Sequence, residues 1–72
     1  MINKELRKEY ITKAIEEREH ELVHIDYMRQ YYLTKGAKDA LGSDMAEAQV
    51  KQLLIREGTI KDQLIFFNGI KI

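Results

Sequence analysis

The chain has 72 residues, with 12 lysines and arginines balanced by 12 aspartates and glutamates, and it has neither cysteine nor proline. This length predicts one domain, 1–72, with a small core, and zero net charge gives no global field that attracts nucleic acid. The lack of cysteine excludes disulfides and thiolate metal sites. Since no apolar run is long enough for a membrane span and charges begin at Lys4, we expect a cytoplasmic protein.

The first predicted helix covers about residues 4–41. Asn3 is a suitable N-cap, and Glu5 lies in the first turn, where negative charge is favoured. An apolar stripe at helical spacing follows, interrupted by Arg18 and Arg29. Its members are Ile11, Ala14, Ile15, Leu22, Ile25, Tyr32 and Leu33.

Two glycines compete to end this helix. A long packed helix can absorb the cost of about 1 kcal/mol that Gly36 imposes relative to alanine, so Gly36 does not decide the matter. A turn at residues 42–43, starting with Gly42, places Arg29 opposite Glu57. Because each of these charges interrupts an otherwise apolar stripe, the pairing favours the turn at 42–43.

The second predicted helix covers about residues 44–68. Its apolar stripe advances by alternating steps of four and three residues, which is typical of a helix packed lengthwise on another helix. The positions of this stripe are Ala46, Val50, Leu53, Glu57, Ile60, Leu64 and Phe67, and Glu57 is the one charged residue among them. We interpret Gly58 as a glycine tolerated where another group packs closely, with a kink in the helix as the less favoured alternative.

The end of the chain has two interpretations. Asn68-Gly69-Ile70 resembles a glycine stop after which Ile70 folds back onto Ile65, leaving a short tail over 69–72. Alternatively, Asn-Gly is the turn of a β-hairpin over 64–72. The second strand of that hairpin has only three residues, which favours the helix.

These elements predict an all-α fold, an antiparallel, coiled-coil-like helical hairpin that dimerises into a four-helix bundle. A lone hairpin leaves the start of the first helix (Ile11, Ala14 and Ile15) without a helical neighbour and leaves apolar side chains on both helices in water. The candidate interface residues are Tyr27, Tyr31, Leu54, Ile55, Ile65 and Phe66.

Residues 20–24 read His20-Glu21-Leu22-Val23-His24, a literal H-E-x-x-H. This string resembles the motif of the zincin metalloproteases, in which two histidines one turn apart bind zinc and the glutamate is the general base. The resemblance covers five residues and implies His20 and His24 as ligands and Glu21 as base. Glu17 shares the face of the two histidines and is the candidate third ligand.

The sequence predicts a non-enzymatic protein, without cofactor, that binds itself and another protein as an adaptor, assembly factor or inhibitor. The alternative is a dimeric nucleic-acid-binding hairpin, similar in architecture to small RNA-binding helical bundles. Lys4, Arg7, Lys8 and Lys13 give the first helix a basic start, although Glu5 and Glu9 alternate with them. A remoter alternative is a zinc hydrolase that uses the HELVH string.

Overall fold

The computed structural model describes residues 3–71 and contains three helices within that range. They are α1 (Lys4–Tyr32), α2 (Lys35–Leu41) and α3 (Ser43–Asn68). The all-helical prediction is confirmed. The molecule measures 54 × 16 × 16 Å, because α1 and α3, which span about 43 and 39 Å at 1.5 Å per residue, pack along each other.

The predicted start of α1 is confirmed. The Asn3 side-chain oxygen accepts a hydrogen bond of 2.7 Å from the backbone N–H of Glu5. This bond satisfies one of the N–H groups that the first helical turn leaves without a partner.

The prediction of one uninterrupted helix over 4–41 is wrong, because α1 ends at Tyr32 and the chain turns at Leu33 and Thr34. The Thr34 hydroxyl donates to the carbonyl of Tyr31 at 2.6 Å and accepts from the N–H of Ala37 at 3.2 Å. It therefore closes one helix and caps the next. Leu33, predicted to face inward, is 59% exposed.

The predicted turn at Gly42 is present. Gly42 has φ 86° and ψ 148° and separates α2 from α3, a backbone conformation that residues with a Cβ rarely adopt. Its N–H donates to the carbonyl of Lys38 at 2.7 Å, and its carbonyl accepts from Ala46 at 3.0 Å. The end of α2 and the start of α3 are thus separated by Gly42 alone.

The core is small. The fully buried apolar residues among those described are Ala14, Ile25, Ala37, Ala46 and Ile60. Only the two isoleucines have large side chains, while the three alanines permit the helices to approach closely. A core of this size supports a domain of marginal stability.

The ionic pairing that fixed the predicted turn is confirmed, since Arg29 Nη1 lies 3.7 Å from Glu57 Oε2. The expectation that the start of α1 lacks a helical neighbour is wrong. Ala14 is only 4% exposed, and the Phe67 ring lies 6.4 Å from the ring of Tyr10 and 4.6 Å from the guanidinium carbon of Arg18. Because residues 10, 14 and 18 share one helix face, this aromatic ring lies across Ala14.

Gly58 and Gly69, within and after α3, do not have their predicted roles. A Cβ added at Gly58 would meet nothing within 4 Å, so no group packs closely there. Gly69 has φ −83° and is not a left-handed glycine stop. The alternative β-hairpin over 64–72 is not supported, because α3 continues to Asn68 and no strand occurs within residues 3–71; the last residue of the predicted tail lies outside that range.

Candidate interaction surfaces

The six predicted interface residues are all exposed. On α3 the largest exposed fractions are those of Ile55, at 71%, and Ile65, at 72%. Side chains of this kind are the ones that an isolated domain would be expected to bury. Whether they mediate self-association stays a prediction.

The four candidates on α3 do not form one patch. Successive residues of a helix diverge by about 100°, so Leu54 and Ile55 face different sides, as do Ile65 and Phe66. Eleven residues correspond to just over three turns, which aligns Leu54 with Ile65 along one stripe and Ile55 with Phe66 along another. The helix therefore presents two narrow apolar stripes to its surroundings.

The aromatic residues on α1 form a third surface. Tyr27 and Tyr31 are exposed, and the Tyr31 ring makes an edge-on contact with Tyr32 at 5.3 Å between centroids. Val23 is exposed one turn before Tyr27. This surface combines apolar rings with polar hydroxyl tips, a combination that is enriched at protein interfaces.

Arg18, which interrupts the apolar stripe of α1, is held from several sides. Its Nε donates to Gln63 Oε1 at 2.9 Å, and its Nη1 donates to the carbonyl of Ala14 at 3.0 Å. Its guanidinium also lies over the Phe67 ring, a favourable cation–π arrangement. Arg18 thus joins α1 to the last turns of α3.

Glu21 is the partner of Arg56 on α3. Arg56 donates to both carboxylate oxygens, at 2.8 Å from Nε and 3.2 Å from Nη2. These hydrogen bonds, together with the positive charges of Arg56 and Arg18, lower the pKa of Glu21 below its ordinary value of 4.5, against a smaller raising effect of burial. In turn, Glu21 raises the pKa of Arg56. This bidentate pair links the helices at the middle of α1.

The structure does not assemble the H-E-x-x-H residues around a common point. Glu17, His20 and His24 are exposed on α1, whereas Glu21 is occupied by Arg56. A general base works best with a pKa raised toward neutrality, and that of Glu21 is lowered. Within residues 3–71, no group of three or more His, Asp or Glu side chains is arranged to hold a metal ion.

The helix ends opposite the Gly42 turn form an apolar groove of about 730 Å³, which we call the terminal groove. Its apolar lining residues, which we call the floor, are Leu6, Tyr10, Ile11, Phe66, Phe67 and Ile70. Its basic lining residues, which we call the rim, are Lys4, Arg7 and Lys71. No carboxylate belongs to the described part of the lining.

Sequence reasoning missed the terminal groove. The apolar residues of its α1 side, Leu6 and Tyr10, lie outside the predicted apolar stripe of the first helix, and the basic start of α1 alternates with acidic residues in the sequence. The signal that was available is their spacing, since Leu6 and Tyr10 are four residues apart and share a face. Their position beside Phe66 and Phe67 required knowledge of how α1 lies against α3.

Comparison of the chain with protein-family models, with curated protein sequences and with solved structures finds no match.

None of the helices described over residues 3–71 combines the length and apolarity needed to cross a membrane.

Proposed function

We propose that this chain is a small cytoplasmic protein that acts through protein–protein contact. In this proposal it folds as an antiparallel helical hairpin and self-associates into a four-helix bundle, which then serves as an adaptor, assembly factor or inhibitor of a larger partner. The observation that carries the proposal is the amount of surface that the isolated chain leaves in water.

That surface exceeds what a compact monomer would expose. The chain has a mass of 8.5 kDa and an accessible surface of 5851 Å², whereas the size scaling of monomeric proteins gives about 4,700 Å² for this mass. The excess of about 1,200 Å² is larger than the roughly 800 Å² that each partner buries in a standard interface. An interface of standard size would therefore bury less surface than this excess.

The shape of the chain supports the same proposal. Its radius of gyration is 16.6 Å, against about 11 Å for a compact domain of this length. Two long helices side by side bury one face each and expose the others. A second helix pair covers those faces, which is the arrangement of a four-helix bundle.

Replacing Ile55 with aspartate tests the assembly. Ile55 is 71% exposed, so Ile55→Asp leaves the packing of α1 on α3 intact but places a charge in the proposed interface. We expect the dimer dissociation constant, measured by sedimentation equilibrium, to rise at least about tenfold. Phe66→Asp is expected to have a similar effect.

The matched control is Gln52→Asp, which introduces the same charge at an exposed position of α3. We expect its dissociation constant to stay within about threefold of the parent, since isolated surface charges contribute little. An unchanged oligomeric state in both Ile55→Asp and Phe66→Asp contradicts the proposed interface.

A further inference from the structure

We infer that the terminal groove is the docking site for an amphipathic helix of another protein, one that carries acidic residues along the edges of its apolar face. This inference rests on the proposed function, because it names the chemistry of the partner in a protein–protein contact. It assigns to the groove an occupant that differs from a second copy of the chain. Of the residues in the proposed self-association interface, only Phe66 also lines the groove, so Ile55→Asp is the variant that tests self-association without touching the groove.

The floor of the groove supplies a continuous apolar surface. The rings of Phe66 and Phe67 lie 5.3 Å apart, and Tyr10 lies 6.4 Å from Phe67, both measured between centroids. Leu6 and Tyr10 are 60% and 66% exposed. Aromatic side chains at the centre of a surface are the usual anchors for a partner's apolar residues.

The rim supplies the charge selection. Lys4, Arg7 and Lys71 line the groove together with the apolar residues, and no described carboxylate lines it, although the whole chain is neutral. A partner that buries an apolar face here therefore meets a local positive field. Acidic residues at its edges complement that field, and basic residues are repelled.

The dimensions of the groove favour a helix over a small amphiphilic ligand. The α1 side of the groove runs over residues 4–11, about 10 Å along the helix axis, which matches about two turns of a second helix. Pockets for small ligands enclose most of the ligand surface, whereas the floor residues Leu6 and Tyr10 are largely open to solvent. A helix about 10–12 Å wide covers this floor in one layer.

A second copy of the chain fits the groove poorly. The acidic segment of α1 comprises Glu16, Glu17, Glu19 and Glu21. The segment from residue 16 to residue 21 contains no apolar residue, so it can complement the rim but has no side chain to insert into the floor. On α3, exposed apolar residues do occur together with an acidic one, Asp62 near Ile55 and Ile65, but those two isoleucines belong to the proposed self-association interface. We therefore assign the groove to a different protein that combines both properties.

Two synthetic helical peptides test the inference on the full-length protein. Both have leucines at positions i, i+3, i+4 and i+7 and a fluorescent label, and they differ only in having glutamates or lysines beside the leucines. Fluorescence anisotropy is expected to detect binding of the glutamate peptide, weakened as salt is raised, and at least about tenfold weaker binding of the lysine peptide. Equal binding of both peptides, or of neither, overturns the inference.

Two pairs of variants locate the binding site. Arg7→Glu is expected to weaken binding of the glutamate peptide by about three- to tenfold, because it turns an attraction into a repulsion. Its control is Lys8→Glu, an identical charge change at the next residue, which is exposed but does not line the groove. Likewise, Leu6→Ser is expected to weaken binding, whereas Val23→Ser, at an exposed position of α1 outside the groove, is not.

Other anionic partners are outcomes of the same test. Binding of vesicles containing anionic lipid, or of single-stranded RNA, that is lost in Arg7→Glu while the glutamate peptide fails to bind overturns the inference. Loss of self-association in Leu6→Ser, again without peptide binding, assigns the groove to a second copy and also overturns it. If Arg7→Glu and Lys8→Glu weaken binding of the glutamate peptide equally, the inference is also overturned.

The inference and the proposed self-association fail in distinguishable ways. If Ile55→Asp dissociates the dimer but the glutamate peptide does not bind, the proposed docking site is refuted and the proposed dimer is supported. Selective peptide binding by a chain whose oligomeric state does not respond to Ile55→Asp or Phe66→Asp supports the docking site and removes the proposed interface.

Discussion

The two ends of the molecule are closed to different degrees. At the end where α2 lies, Ala37 and Ala46 between the helices are almost completely inaccessible to solvent, although Leu33, Leu41 and Met45 are exposed there. At the opposite end, Leu6, Tyr10 and Phe66 remain mostly exposed around the terminal groove. Both ends are built from the same two long helices, so the difference arises from the third.

The difference shows that two packed helices do not close their own ends. The seven residues of α2 fold against α3 and bring Ala37 into the interior, which buries the seam at that end. In the part of the chain that the structure describes, no further helix covers the terminal end. Exposed apolar surface of this kind is typical of an interaction site, which is why the proposed docking site lies at this end.

The largest effect is expected from enlarging the buried residue at the closed end. Ala46→Leu introduces a side chain where Ala46 is 1% exposed, and overpacking a filled site typically costs about 1–3 kcal/mol. We therefore expect the free energy of unfolding, measured by urea titration, to fall by that amount. If the end beside α2 is as open as the terminal end, the leucine will be accommodated without loss.

Ala48→Leu provides the control, because Ala48 lies on the same helix but is exposed. Its unfolding free energy is expected to stay within about 0.5 kcal/mol of the parent. Leu6→Ala at the terminal end is expected to change the unfolding free energy as little as this control does. The difference between the effects of Ala46→Leu and Leu6→Ala then measures how differently the two ends are packed.

A smaller effect is expected from removing the residue that joins α1 to α2. Thr34→Ala deletes both hydrogen bonds of the Thr34 hydroxyl, and loss of such an N-cap costs typically about 1 kcal/mol. We expect amide hydrogen exchange in α2 to accelerate, since α2 is too short to persist without its cap.

The matched substitution is Thr59→Ala in the interior of α3. The Thr59 hydroxyl donates to the carbonyl of Ile55 four residues earlier, a contact that does not stabilise helices. We expect its amide exchange to be unchanged. Equal exchange in α2 for the parent and Thr34→Ala would show that α2 is held by packing alone.

The smallest effect is expected from a change of pH. It acts on the ion pair of Glu21 with Arg56, which lies midway between the two ends. Arg56 holds the pKa of Glu21 below 4.5, so the stabilisation is present in full above this value and is lost as the pH falls through the lowered pKa. The stability difference between the parent and Glu21→Gln, measured by urea titration, is therefore expected to shrink below pH 4.5. Glu19→Gln, at an exposed position of α1, should show no comparable dependence.

The sequence predicted the helical class, the cap at Asn3, the turn at Gly42 and the pairing of Arg29 with Glu57. These features depend on periodicity, on local capping chemistry and on charges that interrupt apolar stripes, all of which can be recognised from neighbouring residues. The break at Thr34 was not predicted, because a threonine ends one helix and starts another only when its hydroxyl caps the next turn, and that contact depends on the folded backbone. Burial of Ala14 was missed because a straight register does not account for the reach of the Phe67 side chain.

What the sequence by itself determined is therefore local: which segments are helical, where Gly42 allows a turn, and which residues each helix must cover. Only the tertiary structure decided how the polar centre of α1 is held, through Arg18 with Gln63 and Glu21 with Arg56. It also decided that basic and apolar residues from both ends of the chain line one groove at the terminal end. Both features bring together residues that are 35 or more positions apart, and helical periodicity carries no information about contacts across that distance.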